Sequence, residues 1–170
     1  PCALPILISP TSTNPQTTAG KKYIFRMAFV DFFQGKLMAV FAFKDIKKHR
    51  AAVLYDSADE YSREIALVFQ KAFQDMGGAC GAFQSYVTGE KDFSRQLQKI
   101  RESDAQVLFL PNFPPDLAGQ AAQIKKMGLD VTLIGSDSWY LHSVIKDPNF
   151  ENSFFSTPFS PDGAYGEAQT

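Results

Sequence analysis

Asp137 and Trp139 stand at the end of an apolar run in the stretch LIGSDSWYLHSV, where Leu133 and Ile134 give way at Gly135 to Ser136, Asp137, Ser138 and Trp139. Two other apolar runs end the same way. AAVLYD is followed by SADEY with Tyr61, and AQVLFLP is followed by NFPPD with Asn112 and Phe113. Together these tips offer aromatic walls and one carboxylate with no basic neighbour, a set suited to holding a small ligand. Groups for transforming one are missing from the pattern. The chain has no GxGxxG, no GxxxxGK[ST] and no GxSxG, so neither a dinucleotide, a P-loop phosphate nor a nucleophile elbow is signalled. His49 lies in the basic run KDIKKHR, His142 follows Trp139, and neither has a Cys or His at metal-ligand spacing. The expectation is a binding protein with no cofactor and no metal, not an enzyme.

Each tip residue also has a purely structural reading. Asp56 and Asp137 could cap the helices that follow them. Trp139 could close the core beneath a loop, and Phe113 before Pro114-Pro115 could be a turn aromatic. What raises the ligand reading is that all the tips belong to one kind of position, the carboxyl end of an apolar strand.

The elements that would hold these tips alternate along the chain. The segment FFQGKLMAVFAFKDIKK spaces Leu37, Val40, Phe41 and Phe43 close to a helical period. AAVLYD is a continuous apolar run, as a strand buried on both faces requires. EYSREIALVFQKAFQDMGG sets Ile65, Val68, Phe69, Ala72, Phe73 and Met76 on one helical side and stops at Gly77-Gly78. CGAFQSYVT alternates, like a strand nearer an edge. A third helix carries Phe93, Leu97 and Ile100 with Asp92 or Thr88 as its cap, AQVLFLP is a central strand, PDLAGQAAQIKKMG a helix ending at Gly128, and VTLIG and SFFSTPF are two further strands. Strands and helices alternating at this interval build βαβ units on a parallel sheet. The predicted class is α/β, a three-layer parallel sheet with helices on both faces. In such sheets small ligands bind outside the carboxyl ends of the strands.

Length and composition agree with a domain of this kind. The chain has 170 residues, 45% hydrophobic and 21% charged, enough for a core of its own. Its net charge of −1, from 17 basic and 18 acidic residues, gives no footprint for nucleic acid. No apolar run reaches the roughly 18 residues of a membrane span. Cys2 and Cys80 lack CxxC spacing and read as small core residues. The chain begins at Pro1 without a leader, so either a signal has been removed or the sequence is part of something longer.

The first thirty residues break the alternation. LPILIS and YIFRMAFVD read as strands, but the loop between them, PTSTNPQTTAGKK, has no crossover helix, which a parallel pair ordinarily needs. They are expected to belong to a sheet whose other strands are missing. At the other end, SPDGAYGEAQT reads as the cap and first turn of a helix that does not continue.

Taken in order, ILISPTSTNPQTT, YIFRMAFVDFFQG, AAVLYDSADEYS, TGEKDFSRQLQKI, AQVLFLPNFPPDLAGQAAQIKKMGLDVTLIGSDSW and FFSTPFSPD resemble the substrate-binding proteins of branched-chain amino-acid ABC transporters, which have the type I periplasmic-binding-protein fold. The resemblance covers essentially the whole chain. It implies two α/β lobes with a ligand between them. Residues 1–32 would be the last strand of an incomplete first lobe plus a hinge segment, residues 33–155 the second lobe, and residues 156–170 a return hinge and the start of a helix.

The same resemblance implies roles. Ser12 and Thr13 in the hydroxyl-rich loop match the holders of an amino-acid carboxylate. Tyr61 and Phe113 match ring walls, Phe113 lacking the hydroxyl of a frequent Tyr. Asp137 matches the acid that meets the ligand ammonium, one methylene shorter than the Glu of some members, and Trp139 adds bulk beside it. A zwitterion requires just such a set of donors, an anion and an apolar wall. The implied function is capture of an amino acid, branched-chain or otherwise apolar, for a membrane permease, by a bacterial protein of the periplasm or cell exterior, lipoprotein or secreted. The departures widen the ligand class to aromatic acids, amides or other small polar molecules. An alternative is a ligand-sensing domain of a receptor or regulator with the same fold. No nucleic acid and no membrane insertion are expected, and the unpaired first-lobe strands are expected to favour dimers.

Overall fold

A computed structural model of the chain describes residues 5–140 and 142–157. The C-terminal segment SPDGAYGEAQT, most of the proposed return hinge at 156–170, and Cys2 lie outside the described residues. Strand β1 (Leu7–Ser9) and β2 (Ile24–Arg26) open the chain. Helix α1 (Asp31–Val40), which runs on into a π-helical turn Phe41–Asp45, leads to β3 (Arg50–Asp56). Then α2 (Glu60–Asp75), β4 (Ala79–Tyr86), α3 (Ser94–Glu102), β5 (Val107–Leu110), α4 (Pro114–Lys126) and β6 (Thr132–Gly135) alternate as the sequence predicts. A 3-10 turn Asp137–Trp139, the short helix α5 (His142–Ile145) and β7 (Phe154–Phe155) follow.

The five strands β3 to β7 form one sheet in the order β4-β3-β5-β6-β7, every pair parallel. Alternate residues of the central strands serve two cores, because successive side chains leave a strand on opposite faces. Ala51, Val53, Val107 and Phe109 pack with Ile65, Phe69 and Phe73 of α2 and with Met38 and Ala39 of α1. Ala52, Leu54, Leu108 and Leu110 pack with Leu97 and Ile100 of α3 and Leu117 and Ala121 of α4. The result is the α/β three-layer architecture, helices on both faces. β4 lies at one edge and β5 at the centre, the positions their alternating and continuous apolarity predict.

Helix α1 departs from the pattern of its large apolar residues. Phe32, Phe33 and Leu37 are exposed, whereas Gln34, Gly35, Met38 and Ala39 are buried. The reason is close packing against α2: a Cβ on Gly35 would lie 2.9 Å from the Ile65 carbonyl oxygen and 2.9 Å from Val68 Cγ1. Gly35 and Ala39 let the two helices approach closely, and Phe32 and Phe33 are turned out.

The N-terminal pair is a correction. β1 and β2 pair directly with each other in parallel, Leu7 opposite Ile24 and Ser9 opposite Arg26, as a separate two-stranded sheet. Residues 10–23 make the return with a single 3-10 turn, Pro15–Thr17, in place of a helix. The loop has the length a parallel return demands and holds itself by its own hydroxyls. The Ser12 and Thr17 hydroxyls lie 2.6 Å apart, and the Ser12 N–H donates to Ser9 Oγ at 3.1 Å.

Candidate ligand-binding cleft

The strand order turns back at β3. The chain passes from β3 to its neighbour β4 and then crosses to β5 on the other side of β3, so the carboxyl ends of β3 and β5 diverge there. That divergence is where open α/β sheets place their ligands. Tyr61 follows β3 and Phe113 follows β5, on the two sides of this point. A cleft of about 420 Å³ lies over it, lined by Tyr61, Phe113, Asp137, Ser138 and Tyr140 from the strand ends and by Pro10, Thr11 and Ala28 from the N-terminal segment. A groove of about 450 Å³ between α1 and α2 is of similar size, but it is lined by Phe32, Val40, Leu67 and Met76 with Lys36, Lys71 and Asp75, away from the strand ends.

Each wall residue is held by local structure. Asp59 caps α2 by accepting the Ser62 N–H at 2.8 Å, which sets Tyr61 in the first turn. Phe113 is the cap residue of α4, with Pro114 and Pro115 in the first turn, and it is 47% exposed. Its ring lies 5.2 Å from that of Tyr61, tilted by 37°. Asp137 opens the 3-10 turn after β6. One carboxylate oxygen accepts the Tyr61 hydroxyl, and among the described residues no backbone N–H bonds its side chain. Burial, and then the neighbouring Asp137 charge, pushes the Tyr61 hydroxyl far above its ordinary range, so it stays a donor.

Trp139 is corrected by the structure. It is fully buried, its indole N–H donates to the Leu110 carbonyl at 2.9 Å, and its ring meets Phe150 edge to face at 4.8 Å. The ring lies so close over the strand end that a Cβ on Gly135 would fall 2.1 Å from Trp139 Cε2. The indole therefore fills the core under the turn. The aromatic at the cleft is its neighbour Tyr140, 48% exposed, which the sequence reading passed over. A 3-10 turn advances about 120° per residue, so adjacent side chains cannot share one direction. The adjacent Trp-Tyr pair, one ring more apolar than the other, was the available signal.

Ser12 and Thr13 are not among the lining residues, while their neighbours Pro10 and Thr11 are. Thr13 is buried and tied to α1: its carbonyl accepts the Asp31 N–H at 3.3 Å, and its side chain hydrogen-bonds the Asp31 carboxylate. Asn112 is also buried. Its Nδ2 donates to the Leu54 carbonyl at 2.9 Å and to Gln120 Oε1 at 3.0 Å, and its Oδ1 accepts the Asp56 N–H at 3.2 Å, so it locks the ends of β3 and β5 together. Asp56 caps no helix. It ties β3 to β4 by accepting the Ala58 N–H at 2.9 Å, the Thr88 N–H at 3.1 Å and the Thr88 hydroxyl.

Among the described residues no lysine or arginine lines the cleft. Behind it stands a second carboxyl, Asp31, almost wholly buried, with one oxygen that has no partner among the described residues. Burial raises its pKa, Asp137 and Glu64 add to the rise, and Thr13 and Arg26 oppose it. Asp137 with Tyr61, Phe113 and Tyr140 gives this wall of the cleft a carboxylate among aromatic rings, the surroundings a cationic group with an apolar body requires. Among the described residues no three His, Cys, Asp or Glu side chains gather as a metal site would need.

A profile of the periplasmic binding protein family matches residues 5–170. The chain belongs to that family. This periplasmic binding protein is 29% identical, over 133 residues, to the leucine-, isoleucine-, valine-, threonine- and alanine-binding protein of Pseudomonas aeruginosa, a match covering 78% of the chain and 35% of the relative. It is 26% identical to the leucine-specific-binding protein of Salmonella typhimurium, covering 78% and 36%. Among solved structures it is similar to the leucine-binding protein LivK of Thermotoga maritima, with a TM-score of 0.88 at 28% identity over 95% of this chain and 47% of that one. The fold of LivJ from Streptococcus pneumoniae, solved with isoleucine, matches with a TM-score of 0.85 over 95% of this chain at 24% identity. The fold is thus that of the type I periplasmic binding proteins. The chain spans about a third of the length of these curated relatives and about half of the solved structures.

Proposed function

We propose that this periplasmic binding protein captures an amino acid with an apolar side chain, of the branched-chain class, for an ABC importer, in the periplasm or outside the cell, and carries out no reaction on it. The observation that carries the reading is Asp137: a carboxylate at a strand end, oriented by the half-buried Tyr61, facing a cleft with aromatic walls and, among the described residues, no cation. Asp137 meets the ligand ammonium, and Phe113, Tyr61 and Tyr140 enclose its side chain. The loop Pro10–Thr13 faces the same cleft through Pro10 and Thr11. Relatives named for leucine, isoleucine and valine support the ligand class. Residues 33–155 form the second lobe, and residues 1–32 carry the strand and hinge segment that precede it.

Calorimetric titration of the two-lobed protein that contains this sequence tests the reading. L-leucine or L-isoleucine is expected to bind, and 4-methylpentanoate, which lacks the ammonium, is expected to bind on the order of tenfold to a hundredfold more weakly, the worth of one charge-assisted hydrogen bond. Equal binding of the two overturns the role given to Asp137. The 170 residues by themselves form one open wall, and their dissociation constant for leucine is expected above about 1 mM. Exposed Ile6, Leu7, Ile8, Phe25 and Met27 on the β1–β2 sheet should draw isolated chains into dimers or larger assemblies. Light scattering showing a monomer across a wide concentration range counts against that.

A further inference from the structure

Gln34 is the least expected residue near the cleft. It is an amide in the second turn of α1, fully buried, on the contact face where the surrounding residues are small or apolar. Its Oε1 accepts two hydrogen bonds from segments far away in sequence: the Asp137 N–H at 3.0 Å and the Ser156 hydroxyl at 2.9 Å. The amide nitrogen has no partner among the described residues. A buried amide held this way costs desolvation that a methionine of similar size would not, so its presence calls for something the oxygen does.

What the oxygen joins is specific. Asp137 is the acid at the cleft. Ser156 directly follows β7, and its N–H donates to the Gly135 carbonyl at 3.3 Å, next to the same turn. Three residues before Gln34, the Asp31 N–H donates to the Thr13 carbonyl at 3.3 Å. One turn of α1 therefore contacts the loop of the N-terminal sheet, the backbone of the cleft acid, and the strand by which the chain leaves the five-stranded sheet. The Asp137 N–H has no carbonyl partner of its own, because it stands at the start of a 3-10 turn where the first N–H groups are unsatisfied. Gln34 Oε1 supplies that partner.

We infer that Gln34 is a positioning residue for Asp137: its side-chain oxygen fixes the backbone beneath the cleft carboxylate and ties it to the segments through which the chain enters and leaves the domain. The consequence for ligand affinity rests on the role proposed above for Asp137; the positional role does not.

Amide hydrogen exchange on the 170-residue chain tests the positional role without ligand. In the unmodified chain the Asp137 amide should be protected although it lies in no strand or helix ladder, and free exchange there overturns the inference with no mutation needed. Gln34→Met should speed exchange at Asp137 by on the order of tenfold or more while Ile134 in β6 keeps its protection. Uniform acceleration through β6, or unchanged exchange at Asp137 in Gln34→Met, overturns it. In the two-lobed protein, with L-leucine as probe, Gln34→Met should lower affinity by about tenfold, and by much less when Asp137 is already Asn. Additive losses overturn the link to the carboxylate, whereas absence of leucine binding in the unmodified protein refutes the ligand proposal and leaves the exchange result to judge Gln34.

Discussion

The Tyr61 hydroxyl donates a hydrogen bond to Oδ1 of Asp137, joining the first turn of α2 to the turn that follows β6. The two residues are 76 positions apart, and the strands that lead into them, β3 and β6, flank β5 in the sheet. Because burial keeps the phenol protonated, the bond runs one way, from tyrosine to carboxylate. It leaves the other carboxylate oxygen for a partner in the cleft. The backbone of the same aspartate is held from below by Gln34, so both ends of the residue are fixed before any ligand arrives, which is the preorganisation that lowers the cost of binding.

Tyr61→Phe removes this donor, together with the hydroxyl's contact with Ser136, while the ring and its contact with Phe113 remain. A hydrogen bond to a charged group contributes about 1.5–3 kcal/mol, so the midpoint of denaturant unfolding should fall by the corresponding amount with an unchanged slope. A variant as stable as the parent would show that the pair is not formed in solution.

Trp139 and Tyr140 should separate cleanly. Trp139→Ala empties a fully buried site against Gly135 and Phe150 and should cost about 3–5 kcal/mol. Tyr140→Ala removes a ring that is 48% exposed and should change stability by less than about 1 kcal/mol. Thermal unfolding of the two variants decides it; similar losses would mean that the turn presents both rings alike.

The contrast between these neighbours shows where the sequence was legible. Continuous apolar runs in β3 and β5, alternation in β4 and the glycine stops after α2 and α4 follow from local physics, and the sheet order follows from chain direction. The face a residue takes within a three-residue turn does not, because neither helical nor strand periodicity applies there. The same holds for Thr13, where a hydroxyl suited to a ligand turned out to serve Asp31, and for Gln34, whose partners lie more than a hundred residues away. α1 misled by composition, since Phe32, Phe33 and Leu37 face out while Gly35 and Ala39 meet α2. The direct pairing of β1 with β2 was missed because the loop between them has no helix, although its length suffices for the return.

Asp31 should leave a signature in the pH dependence of stability. Its folded-state pKa is raised by burial above the ordinary value of 3.8. A raised pKa means that the folded chain holds its proton more tightly than the unfolded one. The associated stability is present below pH 3.8 and is lost as pH rises through the folded-state value. Asp31→Asn, which needs no ionisation, should therefore be more stable than the parent at neutral pH, and the difference should vanish in acid below the unfolded-state pKa. Denaturant titrations at neutral and strongly acidic pH test this. An equal offset at both would assign the effect to packing or to the Thr13 hydrogen bond instead of to ionisation.

Asp137→Asn divides the structural and the ligand roles of the cleft acid most sharply. The substitution keeps size and shape, and the Asn oxygen can still accept the Tyr61 hydroxyl. The backbone N–H that Gln34 accepts is untouched, and Asn serves a helix N-terminus about as well as Asp. The fold should therefore change by less than about 1 kcal/mol. What disappears is the negative charge that, among the described residues, is the only one lining the cleft. A charge-assisted hydrogen bond to a ligand ammonium is worth roughly 1.5–3 kcal/mol, so affinity of the two-lobed protein for L-leucine should drop on the order of tenfold to a hundredfold. The loss should be absent for 4-methylpentanoate, which has no ammonium to miss the charge and gains from removal of a repelling carboxylate. Unchanged leucine affinity at equal pH and salt would mean that Asp137 serves only to anchor Tyr61, and the search for the group that meets a cation would then turn to Asp31 behind it.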